Sequence, residues 1–527
     1  MRKARQLRKA LKLWEKKAQE LEKQVQNQQS PLSDDYQANC ALLDAVFEGC
    51  ADISKRDFQI AQDPPRPARL YMLQGTLDKN IINDSIIAPL TAVDKARHAQ
   101  VPDLVSTHVV KSVSTLGTAV QEVLDGQVLL LIHRQPLAWS INAKSVRLRA
   151  VAEPEAQKVV RGPREGFIED LETNIALVRK RMKTPALKIA CRRVGQRSNT
   201  ALAILHLEGV ADPEILTEVH TRLDKIDIDG IMDSGELEQL IEDNTFSVFP
   251  QVGNTERPDN VAAALLNGRV AILADNSPFA LIVPNVLTDM LQSSDDYYER
   301  FQFSSLIRIL RYVLALVALL GPALYVAITT FHHDMIPTDL LTNLVHARAG
   351  VPFPAVIEAG LMEIAFEALR EAGLRLPKAV GQAVSIVGAL IIGQAAVTAG
   401  LVSPIMVIVV AATGIASFAI PAFNGAIVTR MLKFPLLIAA ATLGLYGIFL
   451  VLAVILIHLA SLRSYGVPYL APLAPISFAD WKDLIVRIPT WAMYQRPTFI
   501  AKGDLQRQSK GKAGLQPQRK KEAEGRK

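Results

Sequence analysis

The 527-residue sequence lacks the residue patterns that mark most catalytic, metal-binding and nucleic-acid-binding proteins. Its three cysteines, Cys40, Cys50 and Cys191, form no CxxC pair and accompany no histidine pattern, so we expect reduced structural thiols. No GxxxxGK[ST] phosphate loop, HExxH helix or GxSxG turn is present. No basic, aromatic-studded sheet motif occurs either. The sequence therefore predicts no enzymatic activity, no metal, no cofactor and no nucleic-acid partner.

Charge is also missing from one long stretch. No charged side chain occurs from Val380 to Ile420. About 20 apolar residues cross a bilayer core of roughly 30 Å, so the stretch is long enough for two membrane helices. Gly400, Ser403 and Pro404 mark their joint, because proline lacks a backbone donor and suits the first turn of a new helix.

The distribution of charged and apolar residues divides the chain into five predicted parts. These are a basic amphipathic or short coiled-coil helix at 1–30, soluble subdomains at 31–152 and 153–303, a membrane domain at 304–476 and a basic cytoplasmic tail at 477–527. The predicted fold is thus a two-part α/β or α+β soluble domain followed by an α-helical, multi-pass membrane domain. Within the soluble part, Leu187–Val194 and Thr200–Leu207 alternate as strands do.

The membrane domain is predicted to contain four spans and one acidic, membrane-associated helix. The spans lie at about 306–331, 380–400, 404–421 and 434–462, and the acidic helix at 355–372. Whether the acidic helix crosses stays open, and five crossings would place the tail outside. Arg308 and Arg311 lie at the start of the first span and no arginine follows it directly, so the N-terminal domain is predicted to be cytoplasmic.

The acidic helix carries glutamates within an otherwise apolar sequence. A charge buried in lipid is costly, so Glu358, Glu363 and Glu367 are expected to face water, a partner or a pore. One interpretation is an interfacial helix or intersubunit brace with Arg370 or Arg375 as partners. The other is an acidic ring that selects cations when several copies surround an axis.

The small and polar residues of the uncharged stretch, Val380 to Ile420, are also compatible with two interpretations. They suit either a tightly packed helical hairpin or a helix that lines a polar path through an oligomer. The candidate ion-pathway residues are Glu358, Glu363, Glu367, Gln394, Thr398, Val409, Ala412 and Thr413.

Several short motifs occur in a fixed order along the chain. They are Arg161-Gly162-Pro163, Phe249-Pro250-Gln251, Glu256-Arg257-Pro258-Asp259, Asp296-Tyr297-Tyr298, Pro352-Phe353-Pro354 and Val402-Ser403-Pro404. From about Gln121 to Pro497 the chain resembles the A subunit of the GerA-type spore germinant receptors of endospore-forming bacteria. The resemblance suggests structural or assembly roles for Arg161, Gly162, Pro163, Glu256, Arg257, Pro258, Asp259, Pro322 and Pro404.

The resemblance implies a multi-pass protein of the spore inner membrane whose soluble domain faces the spore core. Family A subunits are expected to form a homo-oligomer, a pentamer, that acts as a nutrient-gated cation channel and triggers germination. Their partners are a transporter-like B subunit that binds the nutrient and a lipoprotein C subunit. A related branch, similar to SpoVAF, amplifies germination, and a non-conducting receptor scaffold is the alternative function.

The two ends of the chain are basic. Residues 1–23 contain nine Lys or Arg against three acids, and residues 502–527 contain nine against three. Basic ends beside a membrane domain predict contact with anionic lipid headgroups.

Overall fold

The computed structural model describes most of the chain. The described residues are 30–60, 65–92, 101–107, 109–144, 153–154, 156–377 and 391–508. The predicted N-terminal helix up to residue 29, the first part of the predicted span at 380–400, and residues 509–527 of the predicted tail lie outside them.

The first α+β unit comprises residues 30–144 and contains one five-stranded sheet. Its elements are α1 (Tyr36–Val46), β1 (Ile53–Ile60), β2 (Arg66–Leu73), a π-helix (Ile81–Ile87), α2 (Ala88–Thr91), α3 (Val101–Leu104), β3 (Val110–Val113), α4 (Leu116–Leu124), β4 (Val128–Ile132) and β5 (Ala138–Ile141). The strand order is β1-β2-β4-β5-β3, and neighbouring strands are antiparallel. Strand β4 is buried along its whole length, as its sequence Val-Leu-Leu-Leu-Ile predicts.

The second α+β unit comprises residues 156–300. Its elements are α5 (Leu171–Arg181), β6 (Leu187–Val194), β7 (Thr200–Leu207), α6 (Pro213–Asp224), α7 (Ser234–Ile241), β8 (Gly253–Thr255), α8 (Pro258–Leu266), β9 (Val270–Ala274), β10 (Ala280–Val283), a 3-10 helix (Leu287–Leu291) and α9 (Asp295–Tyr298). Strands β6 and β7 have the predicted bounds. Aspartates at 170, 212 and 233 accept backbone N–H groups at the starts of α5, α6 and α7, which fixes where these helices begin.

The two units share one topology. The second sheet has the order β6-β7-β9-β10-β8, which repeats the first sheet strand for strand, and its pairs are also antiparallel. The sequence carries the same repeat. Gly126, Val128, Pro136 and Ala138 recur in the same order and spacing as Gly268, Val270, Pro278 and Ala280. The hairpin residues Arg134 and Asn276, which correspond in this repeat, both have positive φ, 60° and 65°.

A buried ion pair joins the two units. Arg179 of α5 donates from Nε and Nη2 to the two carboxylate oxygens of Asp52, over 2.7 and 2.9 Å. The remaining donors of the guanidinium reach the carbonyls of Thr184 and Leu187. Both side chains are almost completely buried. The pair therefore fixes the start of β1 against the end of α5.

A helical bundle follows from residue 301 to residue 461. Its helices are α10 (Phe301–Phe331), a 3-10 turn (His333–Met335), α11 (Thr338–Arg348), α12 (Ala355–Arg375), a helical stretch at 391–398, α13 (Pro404–Ser417) and α14 (Phe423–Ser461). Among the described residues, only α10 and α14, the latter counted over its full 39 residues, are long and apolar enough to cross a membrane. Pro404 occupies the first turn of α13 behind the cap residue Ser403, as predicted.

Helix α14 turns back on itself at Gly444. Gly444 has φ 62° and ψ −140°, a backbone conformation that favours glycine. Val428 and Leu459 belong to one hydrophobic cluster with Phe249 of the second unit. In a straight helix these two residues would be roughly 46 Å apart. The two arms, 423–443 and 445–461, are therefore antiparallel, and the predicted single span at 434–462 is wrong because it contains this turn.

The chain then returns to the second α+β unit. Residues 462–508, the C-terminal segment, contain β11 (Arg463–Ser464), β12 (Val467–Pro468) and 3-10 turns at Trp481–Asp483 and Thr490–Ala492. Tyr465 and Val467 enter one core of the second unit, and Ala501 enters the other. Tyr465 and Val467 belong to the predicted membrane domain, whereas Phe499 and Ala501 belong to the predicted tail, and all four pack against the second unit.

The Asp52–Arg179 pair gives a stability prediction. Asp52→Asn leaves the Arg179 guanidinium buried with no anionic partner, so we expect the free energy of unfolding to fall by about 3–5 kcal/mol. Chemical unfolding of the full chain in detergent measures the change. Asp229→Asn is the matched control, since its side chain is 74% exposed and its ion pair with Arg197 is at the surface. Equal stabilities of the two variants would contradict the prediction.

Candidate functional site

The three predicted glutamates of α12 each meet a cation from another helix. Glu358 contacts Arg348 of α11 at 3.1 Å, Glu363 contacts Lys433 of α14 at 2.6 Å, and Glu367 contacts Arg430 of α14 at 3.2 Å. These sequence positions are far apart, so only the folded bundle brings the charges together. The structure therefore places a row of ion pairs along α12 inside one chain.

Glu358 connects three elements. Its carboxylate is completely buried and accepts hydrogen bonds from the backbone N–H and the hydroxyl of Ser403, at 3.0 and 2.9 Å. Ser403 in turn accepts from Met406 N as the cap of α13. With Arg348 on the other carboxylate oxygen, Glu358 fixes the start of α13 against α11 and α12.

The Glu363–Lys433 pair is the most enclosed of the row. Both side chains are 3% exposed, and the second carboxylate oxygen of Glu363 has no hydrogen-bond partner among the described residues. Removing two ions from water is costly, and their attraction offsets that cost only while both partners are present. This pair is therefore sensitive to the loss of either charge.

Glu367 is shared by two arginines. Arg430 lies 3.2 Å and Arg370 3.5 Å from its carboxylate oxygens. The Arg370 guanidinium lies over the rings of Phe366 and Phe418 and donates to the Ser417 hydroxyl at 3.0 Å. Two cations therefore meet one carboxylate at this end of α12.

The other predicted pathway residues differ in exposure. Gln394 and Thr398 are exposed on the helical stretch 391–398, and Ala412 is exposed on α13. Val409 is half-buried. Thr413 is buried, its hydroxyl donates to Val410 O, and its methyl group packs where a side chain at Gly321 would lie. The structure thus separates an exposed set from a buried set, and a common ion pathway for the eight residues stays a prediction.

The motif residues of the second unit meet each other beside the bundle. Arg257 donates to Asp259 at 2.8 Å and to the carbonyl of Pro163 at 2.9 Å. Tyr298 donates its phenol to the same Asp259 carboxylate. Its ring lies where a side chain on Gly162 would clash, and Gly162 has φ 139°. The Arg-Gly-Pro and Glu-Arg-Pro-Asp motifs therefore form one structural joint.

The remaining motif residues have varied environments. Glu256 accepts the backbone N–H of Ala156 at 3.1 Å through its carboxylate, and Pro258 occupies the first turn of α8. Arg161 is exposed, and Pro322 is buried within α10. The assembly role assigned to these residues stays a prediction.

A junction that sequence reasoning missed attaches α10 to the second unit. Asp296 of α9 accepts from Arg308 at 2.8 Å and from both terminal nitrogens of Arg311 at 3.0 and 3.1 Å. Arg308 also donates to Asp483 of the C-terminal segment at 2.7 Å. Burial raises the pKa of Asp296, but the hydrogen bonds from Arg311 and Arg308 outweigh it and hold that pKa below its ordinary value.

This junction changes the interpretation of the two arginines. The sequence suggested only that these arginines mark a cytoplasmic boundary, and the structure adds that both side chains are buried in ion pairs. Arg487 completes the junction by donating to the carbonyls of Asp296 and Glu299. The sequence signal that could have revealed this junction is the pair of arginines, three residues apart, at the start of an apolar helix.

A duplicated α+β head joined by buried ion pairs to a bundle of long apolar helices defines the architectural class. The family profile described as "Bacillus/Clostridium GerA spore germination protein" matches residues 41–499. The chain belongs to this GerA family of spore germination proteins.

Individual relatives cover most of the chain. It is 45% identical over 465 residues to spore germination protein KA of Bacillus subtilis (87% of this chain, 86% of the relative). It is 42% identical over 499 residues to the uncharacterized membrane protein YfkQ of the same species (94% and 97%). The crystal structure of the N-terminal domain of the A subunit of the Bacillus megaterium germinant receptor GerK3 matches with 28% identity and a TM-score of 0.37, over 48% of this chain and 96% of that domain.

The Glu363–Lys433 pair yields a double-mutant prediction. Lys433→Gln leaves a buried carboxylate unpaired, so we expect a loss of about 3–5 kcal/mol in the free energy of unfolding. Adding Glu363→Gln removes the uncompensated charge and should restore most of that loss. Unfolding in detergent measures both, with Arg375→Gln as the exposed control on α12, the helix that carries Glu363. A double variant no more stable than the single variant would exclude this explanation.

A second prediction concerns pH and the contact between α7 and α14. Glu238 of α7 lies 3.5 Å from the side-chain amide of Asn424, at the start of α14. Burial and, after it, the charge of Glu242 raise the pKa of Glu238 from 4.5 to about 7. Because the folded state holds this proton more tightly, stability from Glu238 is complete below pH 4.5 and is lost as pH rises through about 7.

Glu238→Gln should therefore reduce the loss of unfolding free energy that occurs as pH rises from 4.5 to about 7. The upper limit of the effect is about 3 kcal/mol. Unfolding of the full chain at several pH values measures it, and Asp229→Asn, which alters an exposed carboxylate of the same unit, should keep the wild-type profile. A wild-type profile in Glu238→Gln would show that this carboxyl does not cause the pH dependence.

Proposed function

We propose that the chain is a multi-pass subunit of a spore germinant receptor that oligomerises into a nutrient-gated cation channel. Membership of the GerA family supports the germination function. The observation that carries the channel proposal is the outer surface of the bundle, where Gln394 and Thr398 are exposed beside Ile391 and Ile392. The Thr398 hydroxyl donates to the Gln394 carbonyl within the helix, but an exposed amide is costly in lipid, so the Gln394 side chain favours contact with water or with a second copy.

The path of the chain supports an even number of membrane crossings. It leaves the second unit at Arg300 and returns to it at Leu462, and both arms of α14 end beside that unit. A chain that starts and finishes at one folded unit must cross a bilayer an even number of times. This favours N-terminal units and C-terminal segment on the same, cytoplasmic, side of the spore inner membrane.

Gating is assigned to the junction at Asp296. A movement of the second unit changes the position of α9, and α9 is tied to α10 through Arg308 and Arg311. The nutrient signal would reach this unit from a transporter-like B subunit, with a lipoprotein C subunit as the third partner and a pentamer as the assembly. The SpoVAF-like amplifier branch is the alternative within the same family.

A non-conducting scaffold is the second candidate function. The observation in its favour is that Glu358, Glu363 and Glu367 are all paired with cations inside the chain. An acidic ring that attracts cations needs carboxylates with uncompensated charge, so these residues serve the scaffold at least as well as a pore.

Reconstitution in liposomes distinguishes the two functions. We expect the purified chain to release potassium, and Ala412→Trp, which fills the exposed face of α13, to reduce the rate about tenfold, equivalent to roughly 1.4 kcal/mol on the barrier. Ile457→Trp is the control, because this residue is 70% exposed on α14 and outside the predicted pathway. Absent release would favour the scaffold, whereas release that is equal in both variants would contradict a pathway along the exposed face of α13.

A further inference from the structure

A cavity of about 1000 Å³ lies between the second α+β unit, the bundle and the C-terminal segment. Its lining residues include Arg257 and Asp259 of the structural joint, Arg311 of α10, and Arg370 and Arg430 of the ion-pair row. The size is ample for a small ligand or a lipid headgroup. The cavity therefore connects the folded head to the helix ends of the bundle.

The cations of this cavity differ in how fully they are paired. Arg257 has Asp259, and Arg311 has Asp296. Arg370 and Arg430, by contrast, share the single carboxylate of Glu367. Their end of the cavity thus has an excess of positive charge.

Arg370 also has spare hydrogen-bonding capacity. Its side chain is 12% exposed, and its Nε is buried without a hydrogen-bond partner among the described residues. The rings of Phe366 and Phe418 hold the guanidinium plane, 5.0 and 4.9 Å from the ring centres. A guanidinium fixed in this way is suited to a phosphate group, which accepts several hydrogen bonds in the guanidinium plane.

The same end of the cavity is apolar at its rim. Phe418 is 69% and Phe423 56% exposed, and both belong to the loop and helix start between α13 and α14. Aromatic residues beside arginines at the ends of apolar helices are typical of the membrane interface. An acyl chain at the rim and a phosphate inside the cavity match this arrangement.

We propose that Arg370 and Arg430 form a binding site for a phosphate-bearing anion, the headgroup of an anionic phospholipid. Arg370 and Arg430 bind the phosphate, Ser417 holds Arg370 in place, and Phe418 contacts the lipid chain. The site links the acidic helix α12 to α14 through a shared ligand. This site does not depend on whether the chain conducts ions.

The test uses the full chain in delipidated detergent micelles. Native mass spectrometry and thermal unfolding are recorded with added phosphatidylglycerol, with phosphatidylcholine, and with inorganic phosphate as the free source of the same chemistry. Arg370→Gln and Arg430→Gln are compared with Arg375→Gln, whose side chain is 79% exposed on the helix of Arg370 and lies outside the cavity.

We expect phosphatidylglycerol to bind the wild type and Arg375→Gln alike, and phosphatidylcholine to bind both weakly. Each cavity variant should lose about tenfold in phosphatidylglycerol affinity, equivalent to roughly 1.4 kcal/mol. The same pattern with inorganic phosphate alone would assign the site to a free anion and overturn the lipid source. Equal phosphatidylglycerol binding by all variants would overturn the site itself. If Arg370→Gln fails to fold, Arg430→Gln decides the outcome.

Discussion

The carboxylate of Asp296 is the contact on which the arrangement of head and bundle depends. The buried carboxylate of Asp296 accepts hydrogen bonds from Arg308 and Arg311 of α10. Arg487 of the C-terminal segment donates to the backbone carbonyl of Asp296. Removing this carboxylate would leave Arg308 and Arg311 buried with less compensation, and unpaired buried charge is among the costliest defects in a fold. Because α9 is only four residues long, its position is set by these tertiary contacts more than by its own helical stability.

Buried charge also governs the inside of the bundle. The glutamates of α12 are compensated one by one by Arg348, Lys433 and the pair Arg370 and Arg430. Paired carboxylates specify how α11, α12, α13 and α14 pack, because each wrong register would leave an ion without a partner in an apolar environment. Conduction, if it uses these residues, would then require the pairs to open. The exposed set, Gln394, Thr398 and Ala412, needs no such opening.

The sequence predicted features that depend on local pattern. Strands β6 and β7, the start of α13 at Pro404 and the helical nature of 355–372 follow from alternation, proline chemistry and periodicity. Strand β1 was missed because its centre, Ser-Lys-Arg-Asp, hides the alternation on an edge strand. Arg370, a predicted partner, does contact Glu367, but Arg430 and Lys433 were missed because they meet the glutamates only through tertiary folding. The turn at Gly444 was missed because apolar residues continue on both sides of it.

The turn at Gly444 also decides how the bundle and the C-terminal segment can be arranged. A single straight helix of 39 residues would be roughly 58 Å long, nearly twice a bilayer core, and would carry the chain away from the second unit. With the turn, Leu462 arrives where Tyr469 can enter the cluster of Phe249 and Met290. Only then can Asp483 and Arg487 reach the junction at Asp296. The contacts between Asp296, at the base of the bundle, and the C-terminal segment therefore depend on the turn at Gly444, at the far end of the bundle.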